Sequence, residues 1–233
     1  MAETAVKTSG RVSRVYDQVR EMATSFEFKP EERINEVALS QKLGASRTPV
    51  REALNRLVAE GFLTFSEGRG FFCRPLSPSL VMDLYEARMA IECEALRLAV
   101  ARASDDEIDQ VIFDLEETHE RYSPDSSPED LVRLDENFHL ALARLSRNVE
   151  LMRLLENING RIRYIRLVDM QGLRGVQDKD GVTLSAHRTI ADALKNRDAA
   201  GAVSAMRSHI ERRREEATEA VRIAYSQLYV PVD

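Results

Sequence analysis

The sequence lacks the features of secreted, membrane-spanning and disulfide-stabilised proteins. It has two cysteines, Cys73 and Cys93, which form no CxxC motif and no disulfide-like spacing. No apolar run approaches the ~20 residues of a transmembrane helix, and the first segment, "MAETAVKTSG", lacks the apolar core of a signal peptide. Repeats and low-complexity tracts are also missing. These absences predict a cytoplasmic protein with no membrane partner.

The chain as a whole has no excess of positive charge, whereas its first third has a small one. The 233 residues carry a net charge of −6. Residues 1–75 hold 12 Lys and Arg against 10 Asp and Glu, whereas residues 76–233 hold 21 against 29. A basic segment in an acidic protein indicates a surface that faces a polyanion such as DNA.

Two prolines mark the boundary between differently patterned parts of the chain. The segment "RPLSPSL" follows a β-prone stretch, and almost everything after it has the periodicity of amphipathic helices. The pattern predicts a first domain over 1–75, a linker over 76–80, a second domain over 81–225 and a C-terminal tail over 226–233. Three glycines in "QGLRGVQDKDG" (171–181) predict a mobile loop.

The first domain has the pattern of a winged helix-turn-helix. Helices are predicted over residues 11–25, over 36–43 (capped by Asn35 and ended by Gly44) and within "SRTPVREALNRLVAEGF" (46–62). Two short strands, around 62–66 and 70–74, flank the turn "SEGRG". Together these strands form the β-hairpin that serves as the wing.

The third helix carries basic residues on the side opposite its apolar stripe. Arg47, Arg51 and Asn55 are spaced by four and therefore share one face. The arginines lie near the N-terminal end, which enters the major groove in helix-turn-helix proteins. Arginine pairs with guanine or phosphate, and Thr48 can reach a backbone oxygen or a thymine methyl group.

The tip of the hairpin adds a second basic element. Arg69 precedes Gly70 in a Gly-Arg-Gly tip, from which it can enter a minor groove or contact phosphate. The alternative is a solvated helix face whose arginines pair with Glu52 or Glu60. The wing and the charge asymmetry together favour DNA.

The second domain has the pattern of an all-α bundle. Six helices are predicted, with no credible strand, over residues 79–103, from 104, and over 128–146, 149–170, 183–196 and 198–225. Ser104 and Glu107 fit a capping box, and Pro128 fits a first helical position. Joined to the winged helix-turn-helix, this bundle gives a mainly α fold.

Three of these helices carry histidines near apolar faces. Asp135 lies four residues before His139 on the same helix face, while His187 and His209 lie on the fifth and sixth helices of the bundle. Taken alone, each histidine is best interpreted as a ring that is either solvated or hydrogen-bonded within the core, and His119 is expected to be exposed. As a set, three imidazoles and a carboxylate suit a divalent first-row metal ion and leave positions open for a ligand.

The segment "INEVALSQKLGASRTPVREALNRLVAEGFLTFSEGRGFF" (34–72) resembles the winged helix of the GntR family of bacterial transcription regulators. The resemblance implies that Arg47, Thr48 and Arg51 contact DNA, together with the wing tip. One position departs from the pattern. Some members have a basic residue at the start of the second helix, where this chain has Glu36, so base contacts from that helix are not expected.

Residues 79–220 resemble the helical ligand-binding domain of the FadR branch of this family, called FCD, through "YEARMAIECEALRLA", "DENFHLAL" and "AHRTIADAL". The resemblance implies a metal site formed by Asp135, His139, His187 and His209, a set that members sensing fatty acyl-CoA lack. It also places Arg88 near the effector cavity, where it could pair with a carboxylate. The alternative for Arg88 is an ion pair with Glu92.

These features predict a homodimeric DNA-binding regulator, a repressor rather than an activator, that binds a pseudo-palindromic operator in double-stranded DNA. A small carboxylate effector at a divalent metal would control it, with zinc the first choice and nickel or manganese as alternatives. The protein is not expected to be an enzyme. Two other functions stay open: a regulator with a purely structural metal, and a metal-dependent hydrolase, for which no general-base motif is seen.

Overall fold

The computed structural model describes residues 2–118, 121, 126–173 and 182–229. These residues form two compact units, of which the first comprises the described residues 2–76 and 225–229, and the second the described residues of Ser77–Ala224. His119 and residues 174–181 of the predicted loop lie outside the described residues. In the part of the chain that is described, no helix is both long and apolar enough to cross a membrane.

The first unit consists of three helices and a two-stranded hairpin, as the sequence predicts. Its elements are α1 (Ala2–Thr24), α2 (Glu36–Leu43), α3 (Arg47–Ala59), β1 (Leu63–Ser66) and β2 (Gly70–Cys73). The strands are antiparallel, with Leu63 opposite Cys73 and Ser66 opposite Gly70. The helices and the strands share one apolar core, whose members include Val19, Leu39, Leu54, Leu63 and Phe71.

Capping interactions fix both ends of α2, whereas the start of α3 has no side-chain cap. The Asn35 side chain accepts hydrogen bonds from the backbone N–H groups of Val37 and Ala38, and Gly44 ends α2 with a φ of 59°. Ser46 occupies the N-cap of α3 without a side-chain hydrogen bond. The amphipathic pattern then places Leu57 in the core and leaves the opposite face exposed.

The second unit is built from helices alone within the described residues, which confirms the predicted fold class. They are α4 (Pro78–Arg102), α5 (Asp105–Glu117), α6 (Pro128–Leu145), α7 (Val149–Leu173), α8 (Val182–Lys195) and α9 (Ala199–Tyr229), of which residues 225–229 belong to the first unit. Ser104 and Glu107 form the predicted capping box at the start of α5, and Pro128 begins α6 after the cap Ser127. Helices α4, α6 and α7 pack against one another, and α8 packs against α5 and α4.

Several element boundaries differ from the predictions. Pro78, assigned to the linker, is the first residue of α4, because Ser77 caps the helix and a proline there loses no hydrogen bond. α1 begins at Ala2 rather than at 11, and α7 continues to Leu173, into the segment predicted as a loop. α9 continues to Tyr229, into the predicted tail, because neither glycine nor proline interrupts residues 202–230.

Candidate metal centre and nucleic-acid interface

Three helices of the second unit bring four ligand-type side chains together. Asp135 and His139 lie one turn apart on α6, while His187 lies on α8 and His209 on α9. Each of these residues is at most 2% exposed. One ligand atom from each lies within 4.8 Å of the others. The set predicted from the sequence therefore converges in the core of the bundle.

The distances within this cluster fit a shared metal ion. Nε2 of His139 lies 3.2 Å from Nε2 of His209 and 3.7 Å from Oδ2 of Asp135. Nε2 of His187 lies 3.4 Å from Oδ1 of Asp135. A tetrahedral zinc ion with bonds of about 2.0–2.2 Å separates its ligand atoms by about 3.3–3.6 Å. The geometry and the donor types could both accommodate zinc, nickel or manganese.

Burial favours the neutral form of the His187 and His209 imidazoles, which is the form that binds metal. Desolvation lowers the pKa of His187, although a hydrogen bond to Asp135 acts in the opposite direction. Desolvation, reinforced by the neighbouring imidazoles, lowers the pKa of His209 well below its ordinary value. The ring of Phe138 stacks on His187 with the centroids 4.3 Å apart and holds that ring in place. A neutral imidazole offers a lone pair for an ion.

Arg166 on α7 is the main charged partner of the cluster. It forms an ion pair with Oδ2 of Asp135, and its Nη1 lies 3.3 Å from Oε1 of Glu136. Burial alone would raise the pKa of Asp135, but the charge of Arg166, together with the interactions with His139 and His187, outweighs burial and holds that pKa well below its usual range. Asp135 is therefore an ionised carboxylate, which is the form that ligates a metal.

The net charge of the side chains around the cluster is compatible with a bound cation. The side chains that are at most 14% exposed include three arginines and four carboxyl groups, namely Arg88, Arg166, Arg213, Glu92, Asp135, Glu136 and Asp169. With neutral histidines this set has one net negative charge, and the more exposed Arg163 and Glu216 cancel each other. A divalent ion would reverse the sign to one net positive charge, which favours an anionic ligand.

Arg88, which is expected beside the effector cavity, is one of the buried charged side chains around the cluster. Its Nε donates a hydrogen bond to Oε1 of Glu92 at 2.5 Å, so the ion pair considered as an alternative is present. Its Nη2 lies 3.9 Å from Oδ2 of Asp135 and makes no hydrogen bond to any residue that the structure describes. Arg88 is 1% exposed. It therefore forms the ion pair and still presents a buried donor beside the cluster.

Glu92 links Arg88 to the histidines. Its Oε2 contacts Nδ1 of His139, and the residue is 2% exposed. Burial acts to raise the pKa of this carboxyl group, but the charge of Arg88 and the contacts with His139 and Arg88 outweigh burial and hold the pKa at about 2. This contact with His139 could not be predicted from the sequence, because the two residues lie on different helices and form no local motif.

The α3 residues predicted to contact DNA surround one groove of the first unit. This groove has a volume of about 440 Å³ and is lined by Glu36, Arg47, Thr48, Arg51, Glu52 and Asn55. The two arginines, Thr48 and Asn55 are exposed, as expected for a recognition face. Nη1 of Arg51 lies 3.9 Å from Oε2 of Glu36. Glu60, proposed as an alternative partner, bonds to Arg56 and to the hydroxyl of Tyr16.

The hairpin places Arg69 at an exposed tip between Gly68 and Gly70. Gly70 has a φ of 92°, a conformation that side-chain-bearing residues rarely adopt. The guanidinium of Arg69 lies 5.1 Å from the ring centroid of Phe72, within the range of a cation–π contact. The first unit thus has two separate basic elements, one on α3 and one on the wing.

Comparison with known proteins agrees with both units. The profile of the bacterial regulatory proteins of the gntR family matches residues 11–73, and that of the FCD domain matches residues 83–212. The Nta operon transcriptional regulator of Aminobacter aminovorans is 40% identical over 208 residues, which cover 89% of this chain and 95% of that protein. The chain belongs to the GntR family. It is a DNA-binding transcription regulator with an FCD domain, and the hydrolase alternative is excluded because these regulators are not enzymes.

A further relative of this GntR-family regulator and one solved structure are similar over most of the chain. The HTH-type transcriptional regulator YdhC of Bacillus subtilis (strain 168) is 30% identical over 194 residues, which cover 83% of this chain and 85% of that protein. The solved structure of E. coli McbR/YncC superposes with a TM-score of 0.69 at 20% identity, and covers 93% of this chain and 98% of that one. The latter similarity shows the fold alone.

Proposed function

We propose that this GntR-family regulator binds a divalent metal ion in its second unit, and that a small organic acid at this metal controls its affinity for operator DNA. The observation that carries the proposal is the convergence of Asp135, His139, His187 and His209 in a buried core. Zinc is the first choice because imidazole and carboxylate ligands suit it, while nickel and manganese accept similar ligands.

Arg88 supports an acid as the ligand. When bound, the ion would supply open coordination positions for a carboxylate oxygen. Nη2 of Arg88 is a buried donor without a hydrogen bond to a described residue, close to Asp135. A guanidinium at this place can donate to the carboxylate of a bound acid. The net positive charge expected of the metal-loaded cluster favours the same class of ligand.

On the DNA side, the exposed face of α3 would enter the major groove. Arg47, Thr48, Arg51 and Asn55 are the candidate contacts there, and the wing tip at Arg69 and Gly70 would contact phosphate or the minor groove. A homodimer would present two such helices to a pseudo-palindromic operator. The repressor role is proposed because two E. coli relatives, each 27% identical, are named the transcriptional repressors GlaR and RspR.

A purely structural metal is the second candidate, since the complete burial of the four ligands would also suit an ion that only stabilises the bundle. The two candidates differ in one property that can be measured. A sensory metal binds an acid together with Arg88, whereas a structural metal has all its coordination positions filled by the protein or by water.

Thermal melting of the purified protein tests the proposal. We expect zinc, nickel or manganese to raise the melting temperature of the wild type but not of His209→Ala. An acid at 100 times its Kd should add about 2.7 kcal/mol to the free energy of unfolding of the metal-loaded protein. Arg88→Ala should reduce this gain, and Arg97→Ala, which changes an exposed arginine of α4, should not.

The outcomes separate the two candidates. Stabilisation by metal without a response to any acid would favour the structural metal. A wild-type protein that responds to neither metal nor acid would contradict both.

A further inference from the structure

The hydrogen bonds around Glu92 constrain where His139 carries its proton. Glu92 is on α4 and His139 is on α6, and both side chains are buried. Oε1 of Glu92 accepts a hydrogen bond from Nε of Arg88, and Oε2 contacts Nδ1 of His139. A carboxylate can only accept hydrogen bonds, so Nδ1 of His139 must be the donor in this contact.

This arrangement determines what the other ring nitrogen presents to the cluster. A neutral imidazole has one N–H group, and the hydrogen bond made by one nitrogen decides the state of the other. With the proton on Nδ1, Nε2 carries a lone pair. Nε2 is the atom that lies 3.2 Å from Nε2 of His209 and 3.7 Å from Oδ2 of Asp135.

We propose that Glu92 is a positioning residue for the metal centre, which fixes both the tautomer and the ring orientation of His139 so that Nε2 is available to the ion. This inference rests on the proposed function and deepens it, because it assigns a role to a residue outside the ligand set. Arg88 contributes by holding Glu92 through Nε. The same arginine can then meet a carboxylate through Nη2, so one side chain serves both contacts.

The substitution Glu92→Gln tests the tautomer specifically, because it retains the shape of the side chain. Arg88 can only donate, so it would bond to the carbonyl oxygen of the new amide. The amide NH2 group would then face Nδ1 of His139, which would have to accept. The ring proton would move to Nε2 and block the nitrogen that faces the other ligands.

The experiment has two measurements on the full-length protein. In the first, 15N NMR of the histidine rings in metal-free protein reports the tautomer, with the His139 signals assigned by their loss in His139→Asn. We expect the proton on Nδ1 in the wild type and on Nε2 in Glu92→Gln. In the second, competition with a chelator measures zinc affinity, which we expect to fall by roughly 10–100-fold in Glu92→Gln.

Glu94→Gln is the matched control. It makes the same chemical change on the same helix, at a side chain that is 47% exposed and pairs with Arg97. We expect its zinc affinity and its histidine spectrum to match those of the wild type.

Three results would overturn the inference. The first is a wild-type His139 that carries its proton on Nε2. This measurement needs only the wild type, so it remains decisive even if Glu92→Gln fails to fold. The second is a folded Glu92→Gln that binds zinc as tightly as the wild type, which would overturn this role alone and leave the metal proposal intact. The third is a wild type that binds no zinc, nickel or manganese, which would overturn the proposed function and this role with it.

Discussion

Nε2 of His139 and Nε2 of His209 lie 3.2 Å apart, although the residues are 70 positions apart in the chain and lie on α6 and α9. Both rings are buried, and two lone pairs at this distance repel each other unless a proton or a cation lies between them. A shared metal ion would cross-link the two helices through both rings, in place of the direct contact between their Nε2 atoms.

Replacing His209 with alanine should separate metal binding from DNA binding. The change removes one of four ligands, so zinc affinity should fall by orders of magnitude, and the melting temperature of the zinc-supplemented protein should fall with it. The winged-helix unit contains none of the four ligands. Operator binding should therefore survive at least in part. Elemental analysis, thermal melting and operator titration would measure the three effects.

His119→Ala is the control for this substitution, because His119 is the histidine of the sequence that stands outside the ligand set. Its metal content and melting temperature should equal those of the wild type. A wild type that retains no metal when purified without a chelator, and gains no stability from added zinc, nickel or manganese, would contradict the prediction.

Arg51 and Arg69 should differ in how they contribute to DNA binding. Arg51→Ala should cost roughly 1–3 kcal/mol on the operator and relax its specificity if this side chain reads a base. Arg69→Ala should weaken binding to all sequences more evenly and flatten the salt dependence if it contacts phosphate. Fluorescence anisotropy on operator and unrelated duplexes would separate the two, with Arg153→Ala on α7, 75% exposed, as the control. If Arg51→Ala and Arg69→Ala both bind the operator as tightly as the wild type, these two side chains do not contact DNA.

Footprinting should show two half-sites related by an inverted repeat. A homodimer with two-fold symmetry presents two copies of α3, and helix-turn-helix dimers read half-sites one helical turn, or a multiple of it, apart. Protection of both half-sites should appear together as protein is added. A short, asymmetric footprint bound by one chain would contradict the predicted homodimer.

Much of the fold could be predicted because its signals are local. Asn35 and Gly44 lie at the ends of α2, and Ser104 and Glu107 form their capping box within four residues. Where such signals are missing, the predicted helix ends differ from those in the structure. The end of α9 at Tyr229 is an example, because helix-forming residues continue past the predicted boundary.

The candidate site was predictable only where its residues share a helix or match a family pattern. Asp135 and His139 form a recognisable pair at a spacing of four. His187 and His209 were candidates from their positions on other helices, and the resemblance implied that all four form one site. The contact between Arg166 and Asp135 could not be found in this way. It joins residues on α7 and α6, and nothing local to either helix specifies their partner.

Asp169 should make the stability of the metal-free protein depend on pH. Burial, only partly offset by Arg213, raises the pKa of Asp169 from 3.8 to about 6. A carboxyl group whose pKa is raised by folding binds its proton more tightly in the folded state, so its stabilising effect is complete at low pH and is lost as the pH rises through about 6. Above that pH the buried charge lowers the free energy of unfolding.

Asp169→Asn should therefore melt at a higher temperature than the wild type at pH 8, and the difference should shrink as the pH falls towards 5. Arg213 keeps its ion pair with Glu216 in this variant. Asp83→Asn, an exposed position on α4, is the control and should show no such trend. A difference in melting temperature that does not change with pH would contradict the assignment to Asp169.

Operator titration of the zinc-loaded protein with and without small acids is the most direct test of acid-controlled DNA binding. We predict that an acid which raises the melting temperature also changes the operator Kd by roughly 5–150-fold, the range expected for a coupling free energy of about 1–3 kcal/mol. The same acid should leave the operator Kd of Arg88→Ala and His209→Ala unchanged. An operator Kd that does not change in the wild type, at an acid concentration shown by melting to saturate the protein, would contradict the account.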